Sequence, residues 1–424
     1  MKKNFKTGLV AGILVGVLVT AVIGSGAFFI TDGFTNLTME KNKLDLFSID
    51  KNIRSLETMI DSNYLNKKDN KKLEQYIYKG LLAGLGDPYS EYYTPSEYKS
   101  LLMETTGNYC GIGVRIIQEN RTLKTKVVEL FKDSPAVKAG MKKDDIIKAV
   151  DGVDVTNISI DDIVNEHILG KEDTKVKIKV YRPSAKKMFT FTITRKQVEA
   201  QYVNSEMLEN NIGYINILSF AVATTTQFTS AVNNLKKQGA RSLIIDLRNN
   251  PGGVLNSAVD MLASLLPDGV LVYTKDKNGK GEEYYSKNGQ IRYKSNDGYK
   301  EKDYPKKDSG QLELPMAVLI NQDSASASEV FAQAMKDYGW ASIIGTQSFG
   351  KGIVQNLIPL KDGSAVKLTV SSYFTKNGSV IQGKGVTPDI AVEQKEKWKN
   401  SQMLPPHGED LQLQRAIKEM KTNR

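Results

Sequence analysis

Three short stretches of the chain carry residues that could do covalent chemistry. In the first, Asn321-Gln322-Asp323-Ser324-Ala325-Ser326-Ala327-Ser328-Glu329 follows an apolar run, Met316 to Ile320, and leads into the helical pattern Val330 to Met335. A serine at such a strand-to-helix turn holds its hydroxyl above a sheet edge, where it can serve as a nucleophile. The amide of the next residue, at the helix start, can then donate to an oxyanion. The plainer reading is an N-cap, in which Ser or Asp satisfies the free amides of a helix start. In the second stretch, Gly345 to Gln355, Lys351 sits between Gly350 and Gly352 in a largely apolar setting, which suits a tight, partly buried amine. The third, Leu247-Arg248-Asn249-Asn250-Pro251-Gly252-Gly253, caps the run Ser242 to Asp246. Its adjacent glycines either leave backbone amides open to a ligand or serve a turn that needs positive φ. Three such turns at the strand edges of one core favour a shared site.

Two partial motifs overlap the lysine. Gly345 to Gly352 nearly matches the phosphate-binding pattern GxxxxGK[ST], but Gly352 stands where a hydroxyl would bind magnesium, and Ile353 to Ile358 reads as a strand where a helix is required. Leu243 to Asp246 resembles a Walker B strand, yet it precedes the loop. The SxxK spacing at Ser348 to Lys351 recurs at Ser96 to Lys99; penicillin-binding enzymes need it on a helix, and Phe-Gly-Lys-Gly is a poor helix former.

Composition removes several chemistries. The chain has 424 residues, one cysteine (Cys110) and two histidines (His167 and His407), with no HExxH or comparable ligand spacing. A disulfide framework and a cysteine metal site are excluded, no metal or cofactor is called for, and a catalytic base other than histidine is expected. The net charge of +10 is spread along the chain without a helix-turn-helix, zinc or RNA-binding signature, so nucleic acid is not an expected partner. With 40% hydrophobic and 25% charged residues, the chain is long enough for two or three globular domains.

The elements that must position these turns are read as α/β and α+β in several domains. Residues 1–30 hold Lys2, Lys3 and Lys6 before an uncharged run from Gly8 to Ile30, long enough to span a bilayer; the positive flank keeps the N-terminus cytoplasmic and places the rest outside. A cleaved signal peptide is the competing reading. Residues 31–106 form a helical region, with Leu46, Ile49, Ile53, Leu56 and Ile60 at helical spacing. Residues 107–185 alternate short β-type runs with helical pieces, as in a compact mixed domain. Residues 186–395 alternate buried-looking strands with helices, an α/β core with parallel pairing, interrupted at about 273–310 by a polar, Tyr- and Lys-rich stretch read as an exposed arm. Residues 396–424 form a charged tail in which Leu411 to Lys421 could be a short helix.

Taken together, LRNNPGG, SASASE, a lysine 25 residues after Ser326 in SFGKGIVQ, and the later YFTKNGSVIQGKGVTPDI closely resemble the C-terminal processing peptidases, or tail-specific proteases, over roughly Leu44 to Val392. The resemblance implies Ser326 as nucleophile, Lys351 as general base, Gln355 as the residue that orients the lysine, and an oxyanion hole from the amide of Ala327 with one of Gly252 or Gly253. Lys351 must then be neutral to accept a proton; moving a lysine from about 10.4 toward 7 or 8 requires roughly 3 to 5 kcal/mol of destabilisation of its charged form. Asp337 matches another position of the motif block and is assigned a structural role.

The mixed domain resembles a bacterial-protease PDZ domain through Gly111-Ile112-Gly113-Val114 and Ser134-Pro135-Ala136-Val137-Lys138-Ala139-Gly140-Met141. Such domains add a peptide strand to a sheet edge, and the loop entering the Gly111 to Val114 strand is expected to receive a peptide C-terminal carboxylate. Lys143 departs from the glycine usual before Asp144. Arg182 is either a solvated strand-end residue or a link from peptide occupancy to the core. The expected whole is a single-pass, membrane-anchored serine endopeptidase, catalytic part outside the cytoplasmic membrane, that cleaves exported proteins near C-terminal tails captured by the PDZ domain. The alternatives are a PDZ scaffold with an idle core and a phosphate-loop nucleotidase. The helical N-terminal region makes a homo-oligomer plausible.

Overall fold

The computed structural model describes residues 43–106, 108–119, 122–287, 290–295, 298–300, 313–399, 401 and 403–422. The apolar span at Gly8 to Ile30 lies outside these residues, and among them no helix is long and apolar enough to cross a membrane. Two compact units divide the chain, one running to Thr94 and including Asn356–Leu368, the other made of Pro95–Gln355 and Thr369–Arg424.

In the first unit, helices Leu46–Asn63 and Asn70–Ala83 start at Asp45 and Asp69, whose carboxylates accept from the amides of Ser48 and Lys72. Neither helix buries a residue, and Leu46, Phe47, Leu56, Met59, Tyr76 and Leu81 are exposed. The strand Glu91–Tyr93 pairs antiparallel with Ala365–Lys367, where Lys367 also bonds Glu91 at 2.7 Å.

In the second unit, the mixed domain is an antiparallel sheet in the order Val114–Gln118, Thr125–Leu130, Ile146–Val150, Lys175–Arg182, Lys187–Thr194. Alternation along Lys175–Arg182 sends Val176, Ile178 and Val180 into a core shared with Ile112, Val127, Ile147, Ile163 and Ile193. The boundary expected at 185 falls inside a hairpin: Lys187–Thr194 pairs along the whole of Lys175–Arg182 and belongs to this sheet.

Gly111 to Val114 is not one strand either. Asn108–Gly111 pairs with Lys196–Glu199, the chain turns at Gly113 (φ 76°), and the domain's edge strand begins at Val114. Only glycine fits that turn, since a Cβ would sit 2.4 Å from Ser134 Cβ. The turn at Lys143 is undisturbed, because the left-handed position falls on Asp144 (φ 71°).

Arg182 is neither solvated nor turned toward another domain. It is buried, forks onto both oxygens of Asp145 at 2.7 Å, bonds the Gly140 carbonyl at 3.0 Å, and lies 4.5 Å above the Phe189 ring. The Asp145 bonds raise its pKa further.

The α/β core is a six-stranded sheet of β1 (Val203–Leu208), β2 (Ile212–Ile217), β3 (Ser242–Asp246), β4 (Met316–Ile320), β5 (Ser342–Gly345) and β6 (Ile390–Ala391), in that spatial order. β1 is antiparallel to β2; every later pair is parallel. The crossovers carry helices α1 (Val222–Lys237), α2 (Leu255–Leu265) and α3 (Ala327–Asp337), which pack side by side, as same-handed crossovers in sequential order require. That arrangement leaves the other face of the sheet uncovered by any crossover.

The C-terminal helix α4 (Leu411–Thr422) covers it. Leu413, Ala416 and Met420 are fully buried against Ile212, Tyr214, Ile244, Ala317, Leu319 and Ile344. The stretch expected as a charged tail therefore supplies a packing layer on one face of the sheet.

The expected arm is likewise more folded than its composition suggests. Gly269–Asp276, Glu283–Lys287 and Gln290–Ser295 form antiparallel strands continuous with Ser371–Phe374, and Thr274, Tyr284, Ser286 and Ile291 are buried.

Candidate active site

Ser326 occupies a strained turn. All five residues of β4 are buried, and the chain leaves it through a turn closed by Ser324 N–H on the Asn321 carbonyl (2.9 Å), with the Ser324 hydroxyl donating to the Leu247 carbonyl (2.8 Å). Ser326 itself has φ 56° and ψ −116°, a conformation costing about 1–3 kcal/mol that persists only where the surroundings over-determine it. They do so here: its amide donates to Glu329 Oε2 at 2.8 Å, and its carbonyl accepts from the amides of Glu329 (2.8 Å) and Val330 (3.0 Å). Ser326 is the N-cap residue of α3 by position, but its hydroxyl makes no capping bond, so the side chain is not used to start the helix.

The turn after β3 is built against this serine. Asn250 donates to the Ile217 carbonyl, accepts the Gly252 amide at 2.9 Å, and through its own carbonyl receives the Ala325 amide and the Ser328 hydroxyl. A Cβ on Gly252 (φ 99°) would lie 2.5 Å from the Ala325 oxygen, 2.8 Å from Ser326 Cβ and 2.9 Å from the Ala327 nitrogen; only glycine lets the two turns close this far. The Gly252 amide is thus spent on Asn250, whereas the amides of Gly253 and Ala327 are bonded to no group among the described residues. Two unspent donors flanking a nucleophile are the requirement for holding a tetrahedral oxyanion.

The lysine loop is fastened amide by amide. Ser348 N–H donates to the Val386 carbonyl (3.2 Å), Phe349 to that of Ser324 (3.0 Å), Gly350 to Glu329 Oε1 (2.7 Å), Lys351 to Glu329 Oε2 (2.8 Å), and Gly352 to Gln382 Oε1 (2.8 Å). The Tyr373 hydroxyl donates to the Lys351 carbonyl. A phosphate-binding loop keeps such amides free for its ligand; here they grip an internal carboxylate, and the phosphate-loop reading is overturned.

Glu329 is the residue that sequence reasoning passed over. Fully buried, it accepts from Ser326 N, Gly350 N, Lys351 N and the Ser348 hydroxyl (2.6 Å), so one carboxylate joins the nucleophile's backbone to the lysine's. Because Ser326 N and Lys351 N contact the same oxygen, they lie no farther apart than twice 2.8 Å. The spacing Ser326-x-x-Glu329 is the capping-box pattern, and it was the available signal.

Gln355, on the strand Ile353–Pro359, is half-buried and donates to Thr369 Oγ1 at 3.4 Å. Asp337 accepts from Gln333 Nε2, from the buried Thr375 hydroxyl and from the Asn377 amide, which is the structural role expected of it. Among the described residues, no group of three or more His, Cys, Asp and Glu could hold a metal ion.

The chain matches the sequence profile of Peptidase family S41 over residues 211–392 and that of a PDZ domain over 110–193. The "Probable CtpA-like serine protease" of Staphylococcus aureus strain COL is 33% identical over 395 residues, covering 93% of this chain and 74% of that one. The protein of the same name in Staphylococcus epidermidis is 34% identical over 355 residues, 84% of this chain and 67% of that one. A solved Bacteroides fragilis structure, 16% identical, shares the fold at a TM-score of 0.51, covering 85% of this chain and 92% of the other. Fold and turns therefore define a serine-type peptidase core joined to a PDZ domain. The chain belongs to peptidase family S41, with the C-terminal processing proteases.

Proposed function

We propose that the chain is a membrane-anchored serine endopeptidase that cleaves exported proteins or peptides at or near their C-termini, using Ser326 and Lys351 as a dyad. The observation that carries this reading is the single buried carboxylate of Glu329, which ties a strained serine with an uncommitted side chain to the loop of the candidate base Lys351. In the first step the Lys351 amine takes the Ser326 proton as Oγ attacks the scissile carbonyl carbon. The resulting oxyanion accepts from Ala327 N–H and Gly253 N–H; the engaged Gly252 amide favours Gly253 over its neighbour. Collapse expels the amine, which takes the proton from the Lys351 ammonium. Water then attacks the acyl-enzyme with Lys351 again as base and restores Ser326. Gln355 orients the lysine in this scheme.

Substrate tails are captured at the PDZ domain. Among the described residues its strand Val114–Gln118 pairs on one side only, and Gln118 holds the start of the neighbouring helix by bonds to the Ile158 carbonyl (2.9 Å) and the Ile160 amide (3.1 Å). A peptide strand added at that edge would run toward the Gly111 to Gly113 turn, with Ile112 serving by its backbone because its side chain is in the core. The anchor at Gly8 to Ile30 places this machinery outside the cytoplasmic membrane, and the exposed apolar side chains of the N-terminal helices support self-association.

The test is cleavage of a reporter protein bearing an unstructured C-terminal extension. Ser326→Ala and Lys351→Ala each abolish turnover while the proteins stay folded. Wild-type cleavage by folded Lys351→Ala protein would overturn the dyad.

A further inference from the structure

Residues 394–422 lie past the stretch that matches family S41, yet they reach the turns that carry the site. Arg248, four residues before Gly252, is 3% exposed. Its guanidinium donates on one edge to Asp246 (2.9 and 2.5 Å) and on the other to Asp410 (2.8 and 2.8 Å) and Gln412 (3.0 Å), 162 and 164 residues away. The remaining acceptor capacity is filled by neutral donors: the Tyr214 hydroxyl on Asp246 (2.7 Å), and Gln394 Nε2 (2.6 Å) and the Leu413 amide (3.0 Å) on Asp410. Asp410 thus stands at the start of α4, where the helix dipole also favours its charge.

Two further bonds lace the same segment to the site turns. Asn249 Nδ2 donates to the Ser401 carbonyl (3.4 Å) and Gln322 Nε2 to the Lys399 carbonyl (2.8 Å), so both the glycine turn and the serine turn are tied to it. Between them lies a cavity of about 330 Å³, lined by Asn249, Asn321, Thr346, Gln394 and Trp398 among others. Solid packing therefore does not hold the segment against the turns at this point; directed bonds do.

We propose that Asp410 is a positioning residue for the peptidase site. By latching Arg248, it fixes the turn Leu247–Gly253 at the closeness that sets Gly252 against Ser326 and offers the Gly253 amide to the oxyanion. This inference rests on the Ser326 reading above. The C-terminal segment then has two separable tasks: the apolar face of α4 covers the sheet, and Asp410, the residue just before α4, sets the register of the oxyanion turn. A residue with only the first task would change how many molecules are folded, without changing what each folded molecule does.

The experiment uses the full chain, with active sites counted by titration with a fluorophosphonate. Per titrated site, Asp410→Asn lowers kcat about tenfold to a hundredfold, as expected for a misplaced catalytic group, with KM within about twofold. The Ki of a peptide boronic acid, which needs the same oxyanion donors, rises by the same factor as kcat/KM falls. If Asp410→Asn does not fold, Gln412→Ala and Asn249→Gly, neither of which removes a charge and the second of which suits the positive φ of that position (59°), show smaller losses of about threefold to tenfold in kcat with the same parallel rise in Ki. Wild-type kcat and Ki per titrated site in Asp410→Asn, or in both neutral variants where it fails to fold, overturn the inference. Wild-type enzyme whose cleavage survives Ser326→Ala overturns the underlying reading instead, a separate and recognisable result.

Discussion

Two buried carboxylate centres each hold a different part of the candidate site, Glu329 the serine turn and the lysine loop, Asp410 the arginine of the glycine turn, and they are built on opposite plans. Glu329 gathers four neutral donors, three of them backbone amides, from residues within 22 positions of itself. Asp410 shares one guanidinium with Asp246 across 162 positions. A carboxylate bonded to amides fixes main chain directly, whatever side chains the loop carries. An ion pair fixes one side chain and leaves a desolvated charge behind when either partner is lost. The first plan suits atoms that must be placed for chemistry, the second a distant segment that must be kept docked.

The largest effect is therefore expected at Glu329. Glu329→Ala would strand three amides and a hydroxyl in a dry site, at about 1–3 kcal/mol for each donor left unsatisfied. Water entry relieves part of this, leaving an expected stability loss of about 3–5 kcal/mol by urea unfolding. Activity per folded molecule falls by roughly a thousandfold or more, because the Ser326 turn and the Lys351 loop come apart together, and a shift of about 1 Å can already cost a hundredfold. Should folded Glu329→Ala lose no more activity than Asp410→Asn, the contrast between the two centres fails.

A smaller, cleaner effect separates closeness from backbone strain. Gly252→Ala puts a methyl 2.8 Å from Ser326 Cβ, whereas Gly239→Ala, at a similar φ of 90°, meets nothing within 4 Å. Both variants bear the strain of a left-handed alanine, about 1 kcal/mol. Only Gly252→Ala is expected to lose activity, by about a hundredfold in kcat. Equal kcat for the two variants would mean that the glycine turn and the serine turn need not meet for catalysis.

What could be read in the sequence divides along the same line. The turns that carry Ser326, Lys351, Gly252 and Gly253 were legible as turns because their residue types are dictated locally, by positive φ at Gly252 or a strand-to-helix turn at Ser326, whereas the roles proposed for them came from the ordered company of the motifs. Glu329 lay in plain view at the third position after the serine, but which groups its carboxylate would meet depends on a loop some 20 residues on. Arg182 was misread because a strand-end arginine looks solvated until Asp145 is brought beneath it. Leu413, Ala416 and Met420 have helical spacing, but nothing local says that the crossover helices leave a sheet face for them to cover. The hairpin from Lys175 to Thr194 was cut at 185 because the Pro183–Ala185 turn resembles a domain boundary. Local rules set the turns; the pairing of distant segments had to come from the fold.

The last effect is the smallest and asks whether charge, as distinct from shape, holds the C-terminal segment. Burial pushes the Asp410 carboxyl up, but the bonds and charge of Arg248, with the Leu413 amide and Gln394, outweigh it and hold the group below its ordinary value. The unfolded chain therefore takes up this proton before the folded one does. Asp410 accordingly contributes its full stabilisation above the unfolded value near 4 and loses it as pH falls through the lower folded value. Urea unfolding of the wild type between about pH 5 and pH 3 should show stability falling with acid. Asp410→Asn should show a shallower fall, the difference in slope approaching but not exceeding about 1.4 kcal/mol per pH unit for one proton. Parallel acid limbs would mean that Asp410 is held by its hydrogen-bond geometry alone. The two carboxylate centres would then differ in reach but not in kind.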